Sequence, residues 1–326
     1  MNNKIPIISS LRAIAASSVC LFHFVCTTTN LFSNKILLNI FYFGKYGVQL
    51  FFVVSGIVIP LSMIAANYRH SNFFKFIYKR FLRIEPPYVV SILIAIVYLI
   101  IRNYVPSSAN VDLTPSFNNV LLHLGYLVPF FENAKWINPV YWTLAIEFQY
   151  YMVLALLFPL LIHYGFKGRL IFYLIFISIS FVFPQKAFFP YWSILFLCGI
   201  AFTIYFKKFI DLREYIFLIL VCLILVLVNL GITNLIITLL VLFSVHFIAN
   251  LDIPILSSIG TFSYSLYLLH SIIGSSFVNF FSHYSLQSYQ KIILVLAGYF
   301  ISLIGAYILY LTIEKPSQEW SRKISL

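Results

Sequence analysis

The chain has 326 residues, of which 62% are hydrophobic and only 9% are charged. Soluble globular domains carry charge on about a quarter of their residues, so this composition excludes that class. In a soluble protein the net charge of +12 would suggest nucleic acid, but in a membrane protein lysines and arginines that orient the helices explain it better. We therefore predict a polytopic membrane protein that does not bind nucleic acid.

The apolar runs are long, uncharged and without alternating polar positions, which favours transmembrane helices over an outer-membrane barrel. The stretch 118–131 is apolar but too short to span, so we interpret it as re-entrant or interfacial. The run 214–249 is too long for one span, and we divide it at 229–234. The resulting all-α prediction has about ten transmembrane helices, at 6–26, 41–65, 84–102, 141–163, 169–184, 188–206, 214–230, 233–249, 257–280 and 290–313.

The distribution of lysine and arginine sets the predicted orientation. If the N-terminus is cytoplasmic, fourteen of these residues fall in inner segments and six in outer ones, with Arg12 inside the first helix left uncounted. Cytoplasmic segments of membrane proteins carry the excess of positive charge. We therefore predict that both the N- and C-termini are cytoplasmic.

The first predicted helix carries two ionisable side chains, Arg12 and His23. Eleven residues at about 100° each return His23 to within roughly 20° of Arg12, on the same helix face. The two lie roughly 16 Å apart along the axis, so they do not touch. An ionisable group inside the membrane costs on the order of 3 kcal/mol, which points to a function. The alternative is a snorkelling arginine and a packed, hydrogen-bonded histidine.

Glu147 lies near the start of the fourth predicted helix, which runs from outside to inside. Glu147 and His23 should therefore lie at similar depth in the outer half of the membrane. A carboxylate that orients or charges an imidazole would prepare it as a general base. A purely structural buried pair is the alternative.

A basic segment at 74–87 is predicted to form a cytoplasmic loop before the third helix. Arg80 and Arg83 are three residues apart and neighbours if the segment is helical, with Lys79 beside them. Guanidinium groups can grip phosphate with two hydrogen bonds. Ordinary positive-inside charge that contacts lipid headgroups is the alternative. Glu85 and the two prolines after it are expected to fix the start of the third helix.

Several other polar residues allow two interpretations. Gln49 could bond to a substrate or to a neighbouring helix, and His270 could line an acceptor site or pack with a hydrogen bond. Tyr141 could stack on a sugar ring from the outer half. Ser55 and Gly56 are interpreted as a site of close helix approach. The histidines and the four cysteines show no metal-ligand spacing, so we predict no metal site.

The last predicted helix should stop at the cytoplasmic surface, where Glu314 is followed by Lys315 and Pro316. A proline in this position is typical of a helix end.

Five pieces of the sequence together resemble the acyltransferase-3 family of membrane acyltransferases. They occur in the family's order and extend over almost the whole chain. They are Arg12 with His23, GKYGVQLFFVVSG at 44–56, RFLRIEP at 80–86, YWTLAIEF at 141–148 and SYSLYLLH at 263–270.

The resemblance implies an O-acetyltransferase that moves an acyl group, usually acetyl, from cytoplasmic acyl-CoA to a hydroxyl of an envelope polysaccharide or lipid-linked sugar. It also implies a multi-pass protein of the bacterial inner membrane. By position, His23 is the expected catalytic residue with Arg12 as its motif partner, and Arg80 and Arg83 are the expected donor-binding arginines. Glu147 matches the acidic position of the family.

On this basis Lys79 joins the expected acyl-CoA site. His23 would either deprotonate the acceptor hydroxyl or first take the acyl group itself. The sequence leaves open whether the chain forms homo-oligomers. The residues expected at the acceptor are Gln49, Tyr141, Trp142 and His270.

The chain stops soon after the last helix, so we expect one transmembrane domain over 1–326 without an appended extracytoplasmic domain. The main alternative is a lipid-linked oligosaccharide flippase or a glycan polymerase of the same pathway. A flippase should show an internal repeat, but the charged motifs crowd into 12–147 and have no counterparts later.

Overall fold

The computed structural model describes residues 5–28, 31–104 and 114–325, and all regular structure in these ranges is helical. Eight of the helices there are long and apolar enough to cross a membrane, so the chain is an all-α polytopic membrane protein, as predicted. The helices are α1 (Ile7–Thr27), α2 (Lys35–Ala65), α3 (His70–Asn103), α4 (Phe117–Leu124), α5 (Trp142–Ile162), α6 (Gly165–Val182), α7 (Phe189–Phe206), α8 (Leu212–Leu230), α9 (Ile232–Phe247), α10 (Pro254–Thr261), α11 (Ser263–Leu269), α12 (Ser276–Ser282) and α13 (Ser288–Arg322).

Each of the ten predicted segments contains a helix. The predicted break near residue 231 is confirmed, because α8 ends at Leu230, α9 begins at Ile232 and Gly231 between them has a φ of 88°. Glycine adopts this backbone conformation without the steric cost of a Cβ atom. The helix α9 and the broken stretch from α10 to α12 are shorter than the eight long helices, so the count of ten membrane crossings stays a prediction.

The predicted loop at 74–87 is wrong, because α3 begins at His70 and continues through both prolines to Asn103. Pro86 and Pro87 leave the carbonyls of Leu82 and Arg83 without their helical donors, but the fixed φ of proline is compatible with a helix. One residue further along, the Tyr264 hydroxyl donates to the carbonyl of Ile84 at 3.0 Å, which joins a second helix to this part of α3. The basic side chains of this segment therefore project from a rigid helix.

The predicted helix end at Glu314 is also wrong, because α13 continues to Arg322. A π turn at Tyr310–Glu314 precedes Pro316, which then lies in the first turn of the next helical stretch. A missing N–H is tolerated in that position. The Ser321 hydroxyl donates to the Lys79 carbonyl at 2.9 Å, which fixes the end of α13 to the start of α3.

The ranges that the structure describes contain three π turns, at the end of α1 (His23–Thr27), after α11 (Ser271–Ser275) and within α13 (Tyr310–Glu314). The first begins with His23, the second directly follows His270, and the third ends with Glu314. Single π turns inside helices occur frequently at functional sites. The three breaks in regular geometry therefore mark one region of the bundle for closer analysis.

The segment that follows α3 reaches back to the middle of that helix. The Tyr126 hydroxyl donates to the Glu85 carboxylate at 2.7 Å, and the Tyr126 ring stacks on Tyr88 with centroids 5.2 Å apart. Glu85 lies fifteen residues after His70 and eighteen before Asn103. This depth favours the re-entrant interpretation of 118–131 over the interfacial one.

The helices α2 and α7 touch backbone to backbone. A Cβ atom on Gly56 would meet the Phe196 carbonyl, and one on Gly199 would meet the Val53 carbonyl oxygen. The close approach predicted at Gly56 is therefore confirmed.

We expect Gly56→Ala to lower the free energy of unfolding by about 1–3 kcal/mol, because backbone carbonyls cannot move aside as side chains do. Gly305→Ala is the matched control, since its new methyl group would meet only the flexible end of Ile273. Thermal unfolding in detergent checks both variants. Equal midpoints for the two would contradict the assignment.

Candidate active site

A cavity lies between α1, α2, α3, α5, α11 and α13, and together with its opening to solvent it comprises about 960 Å³ of space that no atom fills. Five charged side chains from four of these helices line it, together with apolar and aromatic residues of α2 and α11. The charged residues are Arg12, Arg80, Arg83, Glu147 and Glu314.

The contacts along α2 show how the cavity is arranged. Near the end of α2 the Arg80 guanidinium donates to the Ser62 hydroxyl at 2.5 Å. Two turns earlier the Ser55 hydroxyl donates to Glu147 at 3.0 Å, and one turn before that the Phe51 ring packs on Tyr267 with centroids 5.8 Å apart. From residue 51 to residue 62 the helix rises roughly 16 Å. The cavity is therefore elongated, with a basic end and an aromatic end.

The guanidinium groups at the basic end are not neutralised by ion pairs. Arg80 is only 6% exposed and its Nε has no hydrogen-bond partner in the described ranges. Arg12 and Arg83 likewise form no ion pair, since Arg169–Glu214 is the only one among the residues the structure describes. Arg80 is thus a buried cation and Arg12 and Arg83 are half-buried ones, and guanidinium groups without carboxylate partners attract an anion with several oxygen atoms.

The two carboxylates in the cavity are held by other groups. One oxygen of Glu147 accepts from Ser55 and from Tyr151, the latter at 2.5 Å. Glu314 is 2% exposed and accepts from the Ser265 hydroxyl at 2.6 Å, the Ser265 N–H at 3.2 Å and the Gln318 amide at 2.9 Å. These hydrogen bonds fix both carboxylates without using the arginines.

His23 does not line the cavity. Its half-buried ring contacts Phe22, with centroids 5.1 Å apart, and His270, with centroids 5.2 Å apart. The carboxylate of Glu147 makes no hydrogen bond to it within the described part of the chain. The structure therefore does not bring together the carboxylate and imidazole that the sequence placed at similar depth.

His270 stands where that carboxylate was expected. It is 0% exposed, and its Nδ1 lies 2.9 Å from the Tyr267 carbonyl, which assigns the ring proton to Nδ1. Its Nε2 has no partner among the described residues. Tyr267 lines the cavity, and its ring centroid is 5.8 Å from that of His270. Ring contacts therefore connect the cavity through Tyr267 and His270 to His23.

The remaining predicted residues lie outside the cavity. Lys79 donates to the Ile324 carbonyl at 2.8 Å. The Tyr141 hydroxyl is 2.8 Å from the Ser91 hydroxyl, and Trp142 packs near Trp192.

Gln49 is likewise outside the cavity, and it is buried with an unpartnered carbonyl oxygen in the part of the chain that is described. Of the predicted site residues, the structure brings together Arg12, Arg80, Arg83 and Glu147.

Several cavity residues were missed or misread from the sequence. Glu314 and Ser55 were noted but interpreted as structural, while Tyr151, Tyr264 and Tyr267 were not singled out as site residues. Tyr151 carried a usable signal, because it follows Glu147 by four residues and so shares its helix face. Glu314 carried none, because two of its three hydrogen bonds come from Ser265 on another helix.

Comparison with known proteins identifies the family to which the chain belongs. The sequence model of a family described as an acyltransferase domain matches residues 5–311, which is nearly the whole chain. No curated protein and no solved structure matches the chain.

We expect Glu314→Ala to lower the free energy of unfolding by about 1–3 kcal/mol, because Ser265 and Gln318 lose their acceptor in a buried site. Glu314→Gln keeps an acceptor oxygen and should unfold closer to the unaltered protein. Glu319→Ala is the control on an exposed face of the same helix. Midpoints of thermal unfolding in detergent rank the three variants, and a Glu314→Ala midpoint equal to that of Glu319→Ala would contradict the role.

Proposed function

This chain belongs to the acyltransferase-3 family of membrane acyltransferases, and we propose that it moves an acetyl group from acetyl-CoA to a sugar hydroxyl. The acceptor we propose is an envelope polysaccharide or a lipid-linked saccharide of a bacterial inner membrane. Other acyl-CoA donors share the same phosphate groups. The observation that carries the proposal is the set of guanidinium groups that line one cavity without ion pairs.

The basic end of the cavity suits the phosphates of the donor. Arg80 and Arg83 project from one face of α3, and Arg12 approaches from α1. Guanidinium groups bind phosphate oxygens with paired, charge-assisted hydrogen bonds. The nucleotide of acetyl-CoA would therefore remain at this end, for which the excess of lysine and arginine predicts the cytoplasmic side.

The uncharged arm of the donor would extend towards the aromatic end. Glu147 stands beside this route, and only one of its carboxylate oxygens accepts hydrogen bonds from the described residues. The second oxygen can accept from an amide N–H of the arm. At the far end the thioester would meet Phe51 and Tyr267, and Tyr267 must turn aside for the acyl carbon to reach the histidines.

In the transfer step, a ring nitrogen of His23 takes the proton of the acceptor hydroxyl while the oxygen attacks the thioester carbonyl. The carbon–sulfur bond breaks, and the leaving thiolate takes the proton from His23 to give free coenzyme A and the ester. If the ring first takes the acyl group itself, the same proton balance applies over two steps.

We expect His23→Ala to abolish acetyl transfer with a normal amount of protein, because the base is lost. The variants are returned to cells that lack the gene, and envelope glycans are analysed by mass for the acetyl increment. His283→Ala, which changes an exposed histidine, is the matched control and should keep the increment. Full acetylation by His23→Ala would remove this assignment, and shortened glycans without the gene would instead indicate a polymerase or flippase.

We expect Arg83→Ala to raise the KM for acetyl-CoA at least tenfold, because a phosphate contact of about 1.5–3 kcal/mol is lost. Arg102→Ala, an exposed arginine near the other end of α3, should leave KM unchanged. Initial rates in purified membranes at varied acetyl-CoA provide the measurement. An unchanged KM in Arg83→Ala would contradict the donor site.

A further inference from the structure

We propose that His270 is the positioning residue for His23: its Nε2 accepts a hydrogen bond from the His23 ring and leaves the other His23 nitrogen free to act on the substrate. The catalytic role that this inference gives to His270 rests on the proposed function. The contact between the two rings is independent of that function.

The tautomer of His270 is fixed by its own helix. Its Nδ1 lies 2.9 Å from the Tyr267 carbonyl and 3.2 Å from the Leu266 carbonyl, and only a donor satisfies two carbonyl oxygens. The Nε2 atom is therefore an acceptor. It is completely buried and has no partner among the described residues. A buried acceptor without a donor is costly, so a donor is expected to reach it.

His23 is the side chain placed to supply that donor. A nitrogen–nitrogen hydrogen bond of about 2.9 Å between two imidazoles separates their centroids by roughly 5 Å. The centroids of His23 and His270 are 5.2 Å apart, with the rings inclined by 52°. The proposal requires the half-buried His23 ring to rotate until one of its N–H groups points at Nε2 of His270. Hydrogen bonds of catalytic groups are often poorly aligned in the absence of substrate.

The surroundings leave few other donors. The Phe24 ring packs on one side of His270 and the Tyr267 ring on another, with centroids 6.4 and 5.8 Å away. The Tyr267 hydroxyl is already bonded, since it donates to the Val140 carbonyl at 3.4 Å and accepts from the Thr143 hydroxyl at 3.0 Å. The titratable groups in ring contact with His270 are thus His23 and Tyr267, and of these two only His23 has a donor without a partner in the described part of the site.

The bond decides which nitrogen of His23 reacts. A neutral imidazole that donates from one nitrogen presents the lone pair of the other, so the acceptor partner selects the tautomer. His270 acts here as an uncharged acceptor, which suits a region without counter-charge. It touches His23 and not the reacting atoms.

The test compares two substitutions that differ in which hydrogen-bonding function of the His270 ring they keep. His270→Asn keeps a donor towards the Tyr267 carbonyl and loses the acceptor, whereas His270→Gln places an amide oxygen near the position of Nε2. Purified protein is treated with diethyl pyrocarbonate, and peptide mass spectrometry follows modification of His23. Exposed His283 in the same sample is the internal reference, and Phe24→Leu is a control for altered packing.

We expect His270→Asn to slow modification of His23 at least threefold relative to His283, and His270→Gln to stay within twofold of the unaltered protein. In acetyl transfer, His270→Asn should lower kcat at least tenfold with KM for acetyl-CoA within twofold. An unchanged His23 rate in His270→Asn would overturn the inference, as would equal slowing in Phe24→Leu or in His270→Gln. The modification assay uses no acyl donor, so it separates this inference from a failure of the proposed function.

Discussion

The structure depends on arginine side chains that lie among membrane-spanning helices without carboxylate partners in the described ranges. An arginine at the centre of a transmembrane helix costs on the order of 3 kcal/mol on insertion scales. Helices that packed closely around these groups would leave charge in an interior without water, which is far less favourable than charge in contact with water or an anion. The cavity between α1, α2, α3, α5, α11 and α13 resolves this conflict, because it leaves room for water or for an anion. The helix α2, which lines this cavity, is held against α7 by a backbone contact.

Much of the architecture could be predicted because a bilayer allows few arrangements. The apolar composition predicted an all-α membrane protein, and the stretch around Gly231 predicted the break between α8 and α9. Arg80 and Arg83 were placed together correctly because three residues are nearly one helical turn. Helix boundaries at Pro86 and Pro316 were wrong because a proline has two uses, at a helix end or inside a helix whose neighbours compensate.

The relation between Glu147 and His23 shows where prediction from one sequence stops. Position along a helix gives depth in the membrane, and depth was the argument for pairing them. It does not give the direction in which each side chain points or which helix it faces. Glu147 bonds to Ser55 and Tyr151, whereas His23 contacts His270. For His270 the sequence allowed two interpretations, an acceptor-site residue or a helix-packing residue. The π turns beside His23 and His270 have no signature in the residue pattern that we recognised.

The length of α3 has a consequence for what crosses the bilayer. Its 34 residues measure roughly 51 Å, whereas the hydrocarbon layer is about 30 Å thick. Arg80 and Arg83 are ten and thirteen residues from its beginning, in the half of the helix nearer that end. For the donor that we propose, the polyanionic nucleotide then stays near that end of the helix. The membrane thus separates the two ends of this donor by polarity, and only the neutral end enters the hydrocarbon layer.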